Sequence, residues 1–404
     1  MAEVKYRRLG DHSPMLTGLM ALHAVLVAAG FGAALYMESN GHQVTGMNNQ
    51  IVWGLPHVFA VFLVVSASGA LNVASVSSVF ARLAYKPFAR LSGALAVALL
   101  VGGLAILVLD LGRPDRVFVT LFHRNLKSIF AWNIYLYGGF VAIVSGYLFS
   151  MMDRVVSRKV LVNKAFGYAA FSWRLILTTG TGLIFGLLAA RASVSGGIMA
   201  PLFIAASLIY GLAFTVLVVM TMCFETREAL FTDEMVGKFR GLLILFALST
   251  LFLTTILHIS KFYEARSLGV ELFLLRDGGI YPLLFWGGQV LIGTLAPLAL
   301  LARMHGGRGD RGKLGLASLL FLIGGMAQIY VIIIGAQAYP LDNFPDFDVS
   351  SNFGDGAIAS YVPTLPEALL GLAGVSLAMM LTALAFRLLP FLPQGVVRET
   401  EFSA

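Results

Sequence analysis

The stretch "LSGALAVALLVGGLAILVL", residues 91–109, runs for nineteen residues without a charged side chain, and similar runs recur along the whole sequence. Inside a bilayer a segment must satisfy its own backbone N–H and C=O groups, which a helix does. About 20 apolar residues are enough to cross the hydrocarbon. A transmembrane β-barrel would show short alternating segments instead. The composition points the same way: 58% of the residues are hydrophobic, 12% are charged and mean hydropathy is +0.85, whereas soluble domains carry about 25% charged residues. The fold class expected is an all-α polytopic membrane protein.

The apolar runs predict ten spans, at 15–37, 53–80, 89–109, 130–150, 169–191, 200–223, 241–260, 281–304, 314–336 and 367–389. The polar start "MAEVKYRRLGDHSP" is followed by a stretch long enough to remain as a span, so no cleaved signal peptide is expected. Most of the 28 Lys and Arg residues lie at the termini and after even-numbered spans. The positive-inside rule then puts both termini in the cytoplasm of a multi-pass inner-membrane protein. Residues 38–52, 110–129, 261–280 and the long loop 337–366 face outward. Charge concentrates in 110–129 and 261–280, loops of similar length after spans 3 and 7. A proline stands near the outer start of spans 2 and 6. This spacing suggests a parallel repeat, 53–191 and 200–336, of two four-helix bundles flanked by spans 1 and 10 within one integral membrane domain.

Composition also excludes. The single cysteine, Cys223, rules out an intrachain disulfide framework and an iron–sulfur cluster held by this protein alone, since such clusters generally take four protein ligands. The net charge of +7 reports topology and points to membrane lipid, not to nucleic acid.

Charge within a bilayer is costly, so intramembrane polar residues are candidates for function. His23, Asn72, Arg174, Gln289 and Gln328 fall inside the spans. Arg174 is expected near the cytoplasmic end of its span, where it can snorkel. His23, Asn72, Arg174 and Gln328, with Thr178, Thr179 and Thr181, are candidates for a proton path. The outer ends are richer: His57 one turn into span 2, Asp110 closing span 3, Trp132 and Tyr135 opening span 4, and His258 followed by Lys261, Tyr263 and Glu264. An interfacial imidazole can hydrogen-bond a quinone carbonyl, and a nearby carboxylate can exchange the protons of quinone chemistry. Trp and Tyr also form ordinary interface belts. Three histidines in the spans, one entering from the other face, disfavour a bis-histidine haem.

"LDLGRPDRVF", residues 109–118, has two readings. Its carboxylates Asp110 and Asp115 could pair with Arg113, Arg116 or Arg124 and merely hold a turn around Gly112 and Pro114. Alternatively, its arginines present fork-shaped donors to a partner's carboxylates.

That motif, followed by "FHRNLKSIFAWNIYLYGGF", resembles the NrfD/PsrC family, the quinone-interacting membrane subunits of polysulfide reductase and related respiratory complexes. The ten-span layout is similar to the longer branch of the family and looks most like its DsrP members, of dissimilatory sulfur metabolism. The resemblance implies two four-helix bundles and a menaquinone or ubiquinone site near the outer face, with no haem or metal in this chain. It also implies electron exchange with an extracytoplasmic iron–sulfur subunit, alongside further redox subunits such as a cytochrome and an additional membrane subunit. His57 matches the family's quinone-contacting histidine. Trp53 stands where the polysulfide reductase pattern has an asparagine, and His258 with Tyr263 and Trp132 are further candidate contacts. Asp110, Arg113 and Arg116 match the outer-loop motif: Asp110, with Glu264, for proton exchange, and the two arginines for docking. Two competing readings are a secondary transporter with internal repeats and a passive anchor. Transporters place polar groups near the midplane, and clustering at one face favours the redox subunit, which needs its partners for turnover.

Overall fold

The computed structural model describes residues 6–9, 14–153, 155–188, 190–226, 232–305, 309–341, 350–352, 354 and 356–393. Ten long helices account for most of them: α1 Pro14–Asn40, α2 Leu55–Ser78, α3 Ala89–Leu109, α4 Ile129–Met152, α5 Val160–Gly186, α6 Met199–Thr226, α7 Asp233–Tyr263, α8 Ile280–Ala302, α9 Asp310–Ala338 and α10 Leu365–Leu388. Among the described residues nine are long and apolar enough to cross a membrane. The exception, α5, is as long as α1 but carries Lys164 and Arg174. The chain is an integral membrane protein.

Helix starts follow local chemistry. Pro56 sits in the first turn of α2 behind Gly54, where its missing N–H costs nothing. The Thr232 side chain accepts from Met235 N at the start of α7, with Asp233 and Glu234 in the first turn, where the positive helix end favours them. Two helices are wound more loosely. Leu283–Leu295 in α8 and Val331–Gly335 in α9 are π-helical, a geometry frequent at functional sites.

The helices α2–α5 close into one four-helix bundle, and α6–α9 form a second. The bundles meet chiefly through α2 against α6, with α5 and α9 alongside. At the crossing a Cβ on Gly69 would collide with the Ser207 carbonyl oxygen, and one on Gly211 would collide with the backbone at Gly69 and Ala70. Only hydrogen fits at these positions, as in other close helix contacts in membranes. The flanking helices do not take one bundle each. α1 and α10 pair with each other, and α10 packs on α2 and α3 of the first bundle.

Loops after odd-numbered helices gather at one end, which bears Asp110. At the opposite end the termini pair as β1 Tyr6–Arg7 and β2 Leu392–Pro393, antiparallel with Tyr6 opposite Pro393. The Arg90 guanidinium lies 4.0 Å from the Tyr6 ring centre and donates to Pro390 O and Met151 O. Burial pushes the Tyr6 phenol up to about 12, against the opposing pull of Arg90.

Candidate functional site

Asp110 caps the C-terminus of α3, its N–H bonded back to Ile106 O, and is 5% exposed. The last turn of α3 and the first turn of α2 lie side by side, which brings His57 to it. His57 Nδ1 approaches Asp110 Oδ2 to 2.9 Å. The contact lacks hydrogen-bond alignment: among the described residues, His57 Nδ1 and both Asp110 carboxylate oxygens have no hydrogen-bond partner. A second imidazole closes the other side. His42 Nε2 donates to the Asp110 main-chain oxygen (3.0 Å) and lies 3.9 Å from Oδ1. The Trp53 indole stacks on His57, with ring centres 6.1 Å apart and planes 18° apart, and Phe130 and Phe185 pack on its other sides. A carboxylate set between two imidazoles is the kind of group that can take up and pass on a proton.

A frame from distant parts of the sequence holds this corner. The Gln337 side chain accepts from Val52 N and Trp53 N and donates to Trp53 O. Arg191 donates to the carbonyls of Gln337, Tyr339 and Gln50, capping the negative end of α9. Below Gly54 lies Glu367, fully buried at the start of α10. It accepts from Tyr361 Oη (2.7 Å), Gly46 N (2.9 Å), Thr364 N (2.8 Å) and Thr364 Oγ1 (3.0 Å). Tyr361 Oη in turn accepts from Leu55 N at 2.6 Å. Burial, and then the Glu367 hydrogen bond and charge, push the Tyr361 phenol up, so it stays a donor. A Cβ on Gly54 would fall 2.5 Å from Glu367 Oε1.

The charged loop separates its two carboxylates. Arg113 Nε and Nη2 each donate to Asp115 at 3.0 Å, and both residues are exposed. That hydrogen bond holds the Asp115 carboxyl below its ordinary value. Asp110 faces histidines and has no ion pair with Arg113, Arg116 or Arg124 among the described residues. Arg116 is exposed. Trp132 is also exposed and donates to Leu126 O (2.9 Å), fastening the loop rather than joining His57.

His258 lies in the other bundle and has its own carboxylate. Its Nδ1 donates to Glu271 Oε2 at 2.7 Å, and Glu271 is 0% exposed. Tyr263 is 94% exposed and takes no part. Glu264 accepts from Lys261 Nζ (2.8 Å) and Ser267 Oγ (2.9 Å), bonds that hold its carboxyl below the ordinary value. The structure thus does not bring His57, His258, Tyr263, Trp132 and Glu264 into one site.

The interior polar residues divide likewise. Arg174 is buried, 3% exposed, and donates to Asn72 Oδ1 at 2.9 Å. This corrects the expectation that it snorkels: α5 begins at Val160, so Arg174 falls mid-helix. The Ser68 hydroxyl bonds the Arg174 carbonyl, and Thr178 bonds both. Gln328 instead belongs to the second bundle, between Tyr210 Oη and Thr254 Oγ1. His23 is on α1, its Nδ1 buried without a partner among the described residues. Sequence reasoning does not single out His42, Glu271, Gln337, Tyr361 or Glu367. Glu271 and Glu367 carry the readable signal, as isolated acids beside apolar helix starts.

A family model described as polysulphide reductase, NrfD, matches residues 43–340. An Hdr-like menaquinol oxidoreductase integral membrane subunit from Archaeoglobus fulgidus is 24% identical to this protein, with 98% of each sequence covered. The C subunit of selenate reductase from Mesobacillus selenatarsenatis is 23% identical over 91% of this sequence and 93% of its own. The C component of polysulfide reductase from Wolinella succinogenes is 25% identical over 72% and 96%.

Proposed function

The chain belongs to the polysulphide reductase NrfD family, and from that premise we propose that it is the quinone-handling membrane subunit of a respiratory redox complex. The observation that carries this reading is the buried Asp110 carboxylate held between His57 and His42 at the end of two apolar helices. A relative matching nearly the whole sequence is named a menaquinol oxidoreductase subunit. The residues fit a quinone headgroup. His57 Nδ1 and the Asp110 oxygens lack hydrogen-bond partners among the described residues, the His57 side chain is 22% exposed, and Trp53 offers a flat ring beside it.

When bound, a quinol supplies an electron pair and the accompanying protons. His57 binds and orients an oxygen of the ring. Asp110 holds a proton beside the imidazole and exchanges it with outer water through His42. Orientation follows the positive-inside rule, with the Asp110 end outside the cytoplasm. Arg113 and Arg116, with the exposed apolar Phe118 and Phe122, offer the surface on which an extracytoplasmic iron–sulfur subunit docks. The Asn72–Arg174–Ser68–Thr178 cluster provides a polar path for protons through the first bundle; His23 and Gln328 lie off it. The DsrP-like branch belongs to the same proposal. Relatives named as subunits of a menaquinol oxidoreductase, a selenate reductase and a polysulfide reductase support a role in such a complex.

The test is quinol oxidation by the assembled complex and quinone-analogue affinity in nanodiscs. His57→Leu and Asp110→Asn should each lower oxidation by about 100-fold, the scale of a lost proton-transfer group. Arg113→Ala should loosen subunit association and leave analogue affinity intact. Wild-type affinity and turnover in both His57→Leu and Asp110→Asn would refute the site.

A further inference from the structure

We propose that the second bundle holds a separate cleft for a lipid-soluble carrier, and that it takes the hydroxyl-bearing, reduced form of the ring. The proposal rests on the reading of the protein as quinone-handling but concerns different residues. Glu271 comes from the short helix Leu268–Leu272, which returns over the end of α7. One of its oxygens accepts from His258; the other, Oε1, is buried with no partner among the described residues. Leaving a carboxylate oxygen buried and unmatched costs free energy, so this is where a donor is missing. The pair borders a partly open crevice, otherwise walled mainly by apolar side chains and by Phe285, whose ring meets the His258 ring edge-on at 4.8 Å.

Three features say what kind of ligand fits. First, the crevice shares Thr254, Gln289 and Gln328 with a second, adjoining hollow. That space is lined by Thr250, whose buried hydroxyl also lacks a partner among the described residues. Together they form an elongated cleft, apolar with a few convergent polar groups, as small-molecule sites are. Second, the cleft lies between α7 and the π-helical stretch of α8, neighbours that scarcely touch. A ligand entering between these two helices would come from the lipid and would itself be lipid-soluble. Third, the Glu271 oxygen left open beside the His258 contact is an acceptor without a donor among the described residues. A quinol hydroxyl donates to Glu271 Oε1; a quinone carbonyl brings no hydrogen to it. His258, its Nδ1 engaged, is left to meet the ring with Nε2.

The experiment uses the whole complex in nanodiscs and a short-chain naphthoquinone whose tail carries a diazirine, illuminated oxidised or reduced, with labelled peptides mapped by mass spectrometry. The expected result is labelling at the ends of α2 and α3 and, separately, between Thr254 and Gln289. The second label should be several-fold stronger for the reduced probe. Glu271→Gln should erase that preference, since an amide can donate to a carbonyl, while labelling near His57 persists and reports an intact fold. Labelling near His57 alone would overturn this proposal, making the cleft a water-filled space, and would leave the proposed function standing. Labelling in the second bundle alone would uphold the cleft and overturn the His57 site. No labelling in either place would overturn both. Should Glu271→Gln fail to assemble, the wild-type map decides by itself.

Discussion

At the scale of single residues, two acids of similar appearance in sequence do opposite work. Glu367 is sealed in and accepts four hydrogen bonds that tie the loop at Gly46, Tyr361 and Thr364 to α10. Glu367→Gln turns one acceptor into a donor facing donors, and should cost about 2–3 kcal/mol. A drop in the thermal unfolding midpoint, with weaker quinone-analogue binding because Tyr361 and through it Leu55 lose their anchor, is the expected reading. Glu264, by contrast, sits half-exposed at the end of α7. Its carboxyl is held below the ordinary value chiefly by Lys261, then by Ser267. A depressed carboxyl stabilises above the unfolded value and loses that contribution as pH falls through its folded one. Solvent screening keeps it under about 1 kcal/mol. Glu264→Gln should shift the midpoint by about 2 °C or less and leave quinol oxidation at neutral pH unchanged, against its sequence-based candidacy for proton exchange. A large loss of turnover would restore that candidacy.

At the scale of elements, the α2–α6 crossing decides whether there is one molecule or two loosely tethered bundles. Backbone lies where a side chain at Gly69 or Gly211 would go, so Gly211→Leu must push the helices apart by the width of a side chain. The purified variant should lose its single sharp size-exclusion peak, whereas Gly237→Leu, at a position with open space around it, should keep it. The short β1–β2 pairing and the Arg90–Tyr6 contact close the opposite end. Arg90→Ala should let the termini fray and become protease-sensitive without touching quinone binding.

At the scale of the whole molecule, among the described residues each bundle carries an imidazole–carboxylate pair, and the first also carries a buried polar cluster around Arg174. If protons travel that way, Arg174→Gln should slow proton release to the outer side during quinol oxidation by about tenfold or more, while analogue affinity stays as it was. Equal proton release would remove the cluster from the path. Orientation is checked independently. Cysteines placed at Arg113 and Lys127 should react with an impermeant thiol reagent in intact cells, and one at Lys238 should not; the reverse pattern would invert the docking proposal.

Much of this molecule is legible in one dimension. A bilayer tests each segment locally, through length and hydropathy, so α3 can be read to the residue and ten long helices follow from the apolar runs. The charged motif after α3 marks the corner where Asp110 meets His57 and His42. Hydropathy misplaces α5, because Lys164 disguises its first turns, and with it the depth of Arg174. The partners of the candidate residues are not legible at all. Whether Asp110 meets arginines or histidines, and whether His258 joins His57 or Glu271, depends on how helices rotate about their axes and cross at glycines. Those are interactions between segments far apart in the sequence, and only their packing in three dimensions selects among carboxylates that look alike when read in order.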